Sequence, residues 1–359
     1  MTTVSRGLKR VRELAHVFRH RGVSGIVSVA RSAREYYSEP MEMKSNPTFL
    51  QVEPTILCNL ECSFCINPFL PRKRTSLSLA NFERVLNEVP SATKISLVGI
   101  GESFMNKDLW SIIRLAKSRG VQIGTTSNGT FLTDRLLNEI LESGLDWLNF
   151  SIDGATKETY ERLRPGAEFE KVLANIRRVV TALNGRSRPK LAIWFLCNSE
   201  NLYELPDMVQ LVRSLGIDSL NTQGVHYWGH PDWHEKAVKA NALDDLAAVL
   251  RETRRRANAA GIQFQWQNFP DPAAARTCKW PWKGAYVTSD GFVTPCCENG
   301  SDPARINFGN IFEQRFVEIW NSERYQQFRR ELQSSDGRPA ICVDCPSYHR
   351  TITADGSRA

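Results

Sequence analysis

Residues Ile56–Pro68 read ILCNLECSFCINP, with Cys58, Cys62 and Cys65 spaced C-x3-C-x2-C. Structural zinc takes four protein ligands, and iron–sulfur cubanes are generally held by four cysteines. Three thiols on one short loop leave two readings. Either a remote side chain completes a zinc site, or three irons of a cubane are held and the fourth faces a ligand that is not protein. The stretch follows an apolar segment, FLQVEPTIL at 49–57, that reads as a strand. The cysteines then sit on the loop at its carboxyl end.

From that strand onward, apolar strands alternate with amphipathic helices about every 30 residues. Strands are expected at 49–57, 94–99, 121–127, 147–153, 190–197 and 219–225, and helices near 78–89, 108–119, 134–143, 169–184, 202–215 and 243–260. Gly120, Gly144, Gly216 and Gly261 follow the helical stretches as C-terminal stops. Ser78 and Asp134 read as N-caps. Six βα units imply a parallel sheet with right-handed crossovers. They are too few for an eight-stranded barrel. An α/β fold built as a partial (βα)6 TIM-like barrel or an open sheet follows, with ligands gathered at the carboxyl ends of the strands.

The pattern changes after about residue 268. AYVTSDGFVTP (285–295) reads as a hairpin turning at Asp290-Gly291, followed by a helix near 322–333 and ICVDCP. This segment is short and rich in cysteine, as expected of a small domain stapled by metal. Of nine cysteines in the chain, five fall between 278 and 345: Cys278, Cys296, Cys297, Cys342 and Cys345. A structural zinc held by four of them is one reading. Cys197 stands apart, at the end of the fifth strand.

CNLECSFC resembles the CxxxCxΦC motif of the radical S-adenosylmethionine (SAM) superfamily. The resemblance implies a 4Fe–4S cluster on Cys58, Cys62 and Cys65 whose open iron chelates SAM. It also implies reductive cleavage to a 5′-deoxyadenosyl radical that abstracts hydrogen from substrate. Phe64, between two ligands, would pack on the cluster or on SAM. GIGES (99–103) resembles the family's GGE motif, with Ile100 in place of one glycine. Gly99 and Gly101 would permit close backbone approach, and Glu102 would accept from the SAM amine. TSNG (126–129) and SIDG (151–154) end the next strands, which implies SAM contacts for Asn128, Ser151 and Asp153. Arg164, in RLRPG, would pair with the SAM carboxylate. The C-terminal region resembles the SPASM/twitch extension in its single-cluster form. That implies an auxiliary 4Fe–4S cluster on Cys278, Cys296, Cys342 and Cys345. Cys297 is then either the ligand in place of Cys296, a packed thiol, or a hydrogen-atom donor; Cys197 is a second donor candidate.

The organisation expected is a basic helical extension at 1–47, a core at 48–268, an auxiliary-cluster domain at 269–349 and a tail at 350–359. Residues 1–35 carry eight Lys/Arg against two Glu, most of the formal +7. That fits a solvated helix, or contact with an anionic partner or membrane surface. There is no nucleic-acid-binding motif beside the charge. No apolar run of membrane-spanning length and no signal peptide is seen, so a cytoplasmic location is expected. QGVHYWGHPDWHEK (223–236) follows the sixth strand, and His226 or Tyr227 is a candidate base. The expected substrate is a small sugar, polyol or aminocyclitol, oxidised at a carbinol, with a flavodoxin- or ferredoxin-type electron donor. Radical epimerisation, peptide or protein maturation, and an inactive zinc-bound scaffold are the other readings.

Overall fold

The computed structural model describes residues 3–225, 243–267, 278–298, 300–334, 339–342 and 345. A long helix, α1 (Thr3–Ser38), comes first and kinks at Gly22, where φ is 60°. The repeating part then runs β1 (Phe49–Val52), α2 (Leu79–Glu88), β2 (Lys94–Leu97), α3 (Leu109–Ser118), β3 (Gln122–Ser127) and α4 (Asp134–Glu142). It continues through β4 (Trp147–Ser151), α5 (Lys157–Leu163), α6 (Phe169–Leu183), β5 (Lys190–Cys197), α7 (Leu205–Ser214), β6 (Ser219–Gly224) and α8 (Leu243–Ala260). All six expected strands are present, and successive ones pair in parallel.

Two additions extend the sheet. β7 (Gln263–Gln267) pairs in parallel with β6. Its sequence QFQWQ alternates polar and apolar residues, as suits an edge strand with one face towards solvent. At the other edge, β8 (Gly284–Val287) pairs in parallel with β1, and β9 (Val293–Thr294) returns antiparallel. The expected hairpin is therefore present, and it continues the barrel sheet rather than standing apart from it. The strand order is β7-β6-β5-β4-β3-β2-β1-β8-β9. After it come α9 (Trp280–Lys283, just before β8), α10 (Phe316–Trp320) and α11 (Glu323–Gln333).

The local signals explain the joints. Ser78 caps α2 by accepting from the Asn81 amide. For α4 the cap is Thr133, one residue before the expected Asp134, which instead occupies the first helical turn. Gly120, Gly144, Gly216 and Gly261 all have φ between 69° and 81°, a conformation that costs an L side chain and suits glycine. Leu50, Ile95, Ile123, Leu148, Ile193 and Leu220 lie in the shared core, while alternate positions of β2, β4 and β6 are only half-buried.

α1 packs under the amino ends of the strands. His16 bonds the Gly120 carbonyl at 3.1 Å, and Arg21 donates to the Ala92 carbonyl at 2.6 Å. Part of its basic charge is thus spent on capping loops. Val11, Leu14 and Phe18 on the same helix are exposed. Among the described residues, no helix is long and apolar enough to cross a membrane.

Candidate active site

The cysteine loop leaves β1 at Glu53-Pro54 and is fixed by its own backbone. The Ile56 amide donates to the Thr75 carbonyl at 3.0 Å, and the Glu102 amide donates to the Leu57 carbonyl at 2.8 Å. The Ser63 amide donates to the Leu163 carbonyl at 3.0 Å. Asn67 reaches the Ile56 carbonyl at 2.9 Å. A Cβ on Gly101 would lie 2.4 Å from the Thr55 oxygen and 2.5 Å from the Leu57 oxygen. A Cβ on Gly99 would lie 2.4 Å from Glu53 Cγ. The two glycines therefore make room for the protein's own loop.

Beneath that loop lies a buried ionic network that the sequence reading missed. Glu53 Oε1 is 2.7 Å from Arg72 Nη2, with side chains 0% and 4% exposed. Glu53 also accepts from the Tyr286 hydroxyl at 2.9 Å and from the Ser289 amide and hydroxyl at 3.1 and 2.9 Å. Arg72 reaches Asp290 at 3.0 Å and the Ser301 carbonyl at 2.9 Å. One buried carboxylate thus ties β1, the return of the cysteine loop and the β8–β9 hairpin together. An acidic residue at the end of an otherwise apolar strand was its only sequence signal.

A cavity of about 720 Å³ occupies the barrel lumen. It is bordered by eight of the nine cysteines: Cys58, Cys62, Cys65, Cys278, Cys296, Cys297, Cys342 and Cys345. The first three lie beyond the carboxyl end of β1. β9 runs opposite to β8, so Cys296 and Cys297 emerge at the amino end of the sheet. The two cysteine sets therefore face one chamber from opposite ends of the strands.

Phe64, Gly99, Gly101, Glu102, Asn128, Ser151, Asp153 and Arg164 all border the upper part of that cavity. Glu102 is 3% exposed; its oxygens accept from the Asn128 amide at 2.7 Å and the Phe104 amide at 3.0 Å. Burial raises its pKa. Asn128 spends its side chain internally, donating to Asn59 at 3.0 Å and accepting from Thr130 at 2.6 Å. Asn59 is the residue after Cys58, so Asn128 braces the cysteine loop. Arg164 pairs with Asp153 at 2.5 Å, and Asp153 also accepts from the Leu196 amide at 2.7 Å. Burial works against the Arg164 charge, but Asp153, Cys62 and Tyr160 together outweigh it and raise the pKa. One Arg164 nitrogen lies 3.9 Å from Cys62 Sγ. The expected SAM partner is thus first an internal ion pair, set behind the second cysteine.

Burial pushes the Cys62 thiol up to about 12 and the Cys278 thiol up to about 11. Cys278 lies within electrostatic reach of Cys345, and Cys296 and Cys278 both act on Tyr325. Cys297 instead faces Gln51 and Tyr286. All five C-terminal cysteines, Cys278, Cys296, Cys297, Cys342 and Cys345, border the same cavity. Among the described residues, no three His, Cys, Asp or Glu side chains converge as around one metal ion. Cys197 is fully buried in the hydrophobic core and does not border the cavity, so it is withdrawn as a hydrogen donor. His226 and Tyr227 lie outside the described residues.

The middle of the lumen is walled by uncharged polar groups. Gln51 donates to the Val98 carbonyl at 3.1 Å, Asn149 to Thr126 at 3.2 Å and Gln267 to Gln223 at 3.1 Å. A polar residue in each of several buried strands was the signal for this face.

Residues 52–212 match the radical SAM superfamily, and residues 278–346 match SPASM, an iron–sulfur cluster-binding domain. The chain belongs to the radical SAM superfamily and carries a C-terminal SPASM-like auxiliary domain. It is a redox-active enzyme of that class, with a SAM-coordinating 4Fe–4S cluster and an auxiliary iron–sulfur cluster as its cofactors. It is 27% identical over 324 residues to the PqqA peptide cyclase of Gluconobacter oxydans, covering 86% of each chain. It is 26% identical over 318 residues to a tungsten-containing aldehyde ferredoxin oxidoreductase cofactor-modifying protein of Pyrococcus furiosus, covering 83% of this chain and 86% of that protein. Its fold is similar to that of Streptococcus suis SuiB, crystallised with its precursor peptide SuiA, with TM-score 0.65 at 15% identity, covering 88% of this chain and 74% of that one.

Proposed function

We propose that the protein is a radical SAM maturase that modifies a peptide, in place of the carbinol oxidation of a small polyol. The single observation that carries this reading is the lumen between the two cysteine sets. Its wall of Gln51, Asn149, Gln223 and Gln267 presents paired amide donors and acceptors, which match the donors and acceptors of a peptide backbone. The similarity to PqqA peptide cyclases supports the same substrate class.

In this reading Cys58, Cys62 and Cys65 hold the SAM-binding cluster, and Cys278, Cys296, Cys342 and Cys345 hold the auxiliary one. The cofactor pair supplies hydrogen-atom abstraction from the substrate when bound. Glu102 and Ser151 would face SAM and Phe64 would pack beside it, while Asp153 keeps Arg164 aligned behind Cys62. Reducing equivalents come from a flavodoxin- or ferredoxin-type donor. A second reading, radical epimerisation, is favoured by one observation: the Cys297 thiol meets the Gln51 side chain inside the lumen. A thiol there is placed to return a hydrogen atom to a carbon radical.

The test is anaerobic turnover of reconstituted protein with deuterated candidate peptides and deuterated polyols. Deuterium in 5′-deoxyadenosine from a peptide supports the reading. Deuterium from a polyol and from no peptide overturns it.

A further inference from the structure

Two lysines stand four positions apart at the floor of the lumen, and one has its charge neutralised. Lys279 Nζ lies 2.5 Å from Glu39 Oε1, over the rings of Tyr36 and Tyr37. Lys283 borders the same cavity. Its ammonium sits 5.4 Å from the Phe49 ring centroid and 5.6 Å from that of Trp280. Among the described residues it has no hydrogen bond and no ion pair. Aromatic faces attract a cation, but they leave its three N–H donors unfilled.

The surroundings do not supply the missing acceptor. Lys283 is an exposed residue on the cavity wall, and the protein packed around it lowers its pKa. Asp153 is taken by Arg164, and both Glu102 oxygens are taken by backbone amides at the opposite end of the strands. Glu298, which also borders the cavity, has interactions of its own and acts on Cys297 and Cys278. The lumen wall between is neutral carboxamide. An exposed ammonium on the cavity wall, flanked by two aromatic faces and without a protein partner among the described residues, is free to take an anion from the lumen.

We propose that Lys283 receives an anionic oxygen group of the substrate, a carboxylate or a phosphate, at the auxiliary-cluster end of the lumen. An ammonium is a compact charge with three rotatable donors and suits either group. Holding the anion there points the rest of the substrate towards the Cys58–Cys65 loop. Lys283 would thus decide which part of the molecule is presented for hydrogen abstraction. The inference rests on the lumen being the substrate chamber, and it holds for a peptide carboxylate or for a small acid.

The test is lysine acetylation of the reconstituted holoenzyme, read at Lys283 and Lys279 by mass spectrometry. The probes are glutarate and inorganic phosphate, with glutaramide as the uncharged control. Glutarate or phosphate should slow acetylation of Lys283 by at least about fivefold at millimolar concentration, while glutaramide leaves it unchanged. Protection by glutarate alone identifies a carboxylate, and protection by phosphate alone a phosphate. Equal rates with all three probes, or equal protection by glutaramide, overturn the proposal. In equilibrium titration Lys283→Met should bind glutarate or phosphate at least about fivefold more weakly than the parent, and Lys283→Arg should keep binding of the protecting anion. A Lys283→Met protein that binds both anions as tightly as the parent would also overturn the proposal. Failure of every peptide to turn over, with anion protection intact, would sink the peptide reading and leave this one standing.

Discussion

Arg72→Met removes the countercharge of a carboxylate that cannot reach water. Glu53 is fully buried, and its remaining partners, the Tyr286 hydroxyl and Ser289, are neutral. Breaking a buried ion pair by deleting one member costs about 3–5 kcal/mol. With a urea slope of about 3 kcal/mol per molar, the midpoint falls by about 1–1.7 M. Glu53→Gln combined with Arg72→Met removes both charges, and should recover at least about half of that loss. The β8–β9 hairpin is anchored by the same carboxylate, so auxiliary-cluster iron should be released at lower urea than in the parent. The assay is urea unfolding of the anaerobically reconstituted protein, followed by circular dichroism and by the visible absorbance of the clusters. An Arg72→Met midpoint within about 0.3 M of the parent would refute the reasoning. So would a double variant no more stable than the single one.

Further outcomes follow from the site. Gly101→Ala drives a Cβ into the Thr55 and Leu57 carbonyls, which are backbone and cannot swing away; iron per chain should fall from about eight to about four after reconstitution, and full iron would contradict it. Cys297→Ala should keep the iron that Cys296→Ala loses; equal loss in both would reassign the ligand. In metal-free protein, burial raises the pKa of Cys62 to about 12 and of Cys278 to about 11. Unfolded thiols titrate near 8.5, so the unfolded state sheds protons first; stability is full below about pH 8.5 and falls by up to about 1.4 kcal/mol per pH unit per thiol as pH rises towards those values. The urea midpoint of chelator-stripped protein should drop between pH 8 and 10, less so in Cys62→Ser; a flat profile would count against the burial of these thiols.

The parts of this molecule written locally were legible. The C-x3-C-x2-C spacing, the glycine stops and the apolar strands each depend on neighbours in sequence, and each appears where expected. β7 went unread, although QFQWQ carries the alternation of a half-buried strand. The joining of β8 to β1 was not legible, because pairing of Phe49 with Gly284 is set by tertiary structure. Cys197 shows a similar limit. β5 reads KLAIWFLC, apolar along nearly its whole length, so its periodicity does not reveal which side chains enter the lumen, and Cys197 faces the core. Arg164 and Asp153 were both read as ligand contacts, yet two opposite charges eleven residues apart meet each other first. The Glu53–Arg72 pair stayed hidden because nothing in PRKR distinguishes a buried arginine from its solvated neighbours.

The central claim is that the vacancy left by Cys58, Cys62 and Cys65 is a SAM site in a working radical enzyme. The most direct measurement is 5′-deoxyadenosine formed from SAM by reduced, anaerobically reconstituted protein, beside a Cys58→Ala variant. The account predicts formation by the parent and none by the variant, which should keep its auxiliary-cluster iron. A fully loaded parent that leaves SAM intact, or a variant that cleaves it as well as the parent, would contradict it.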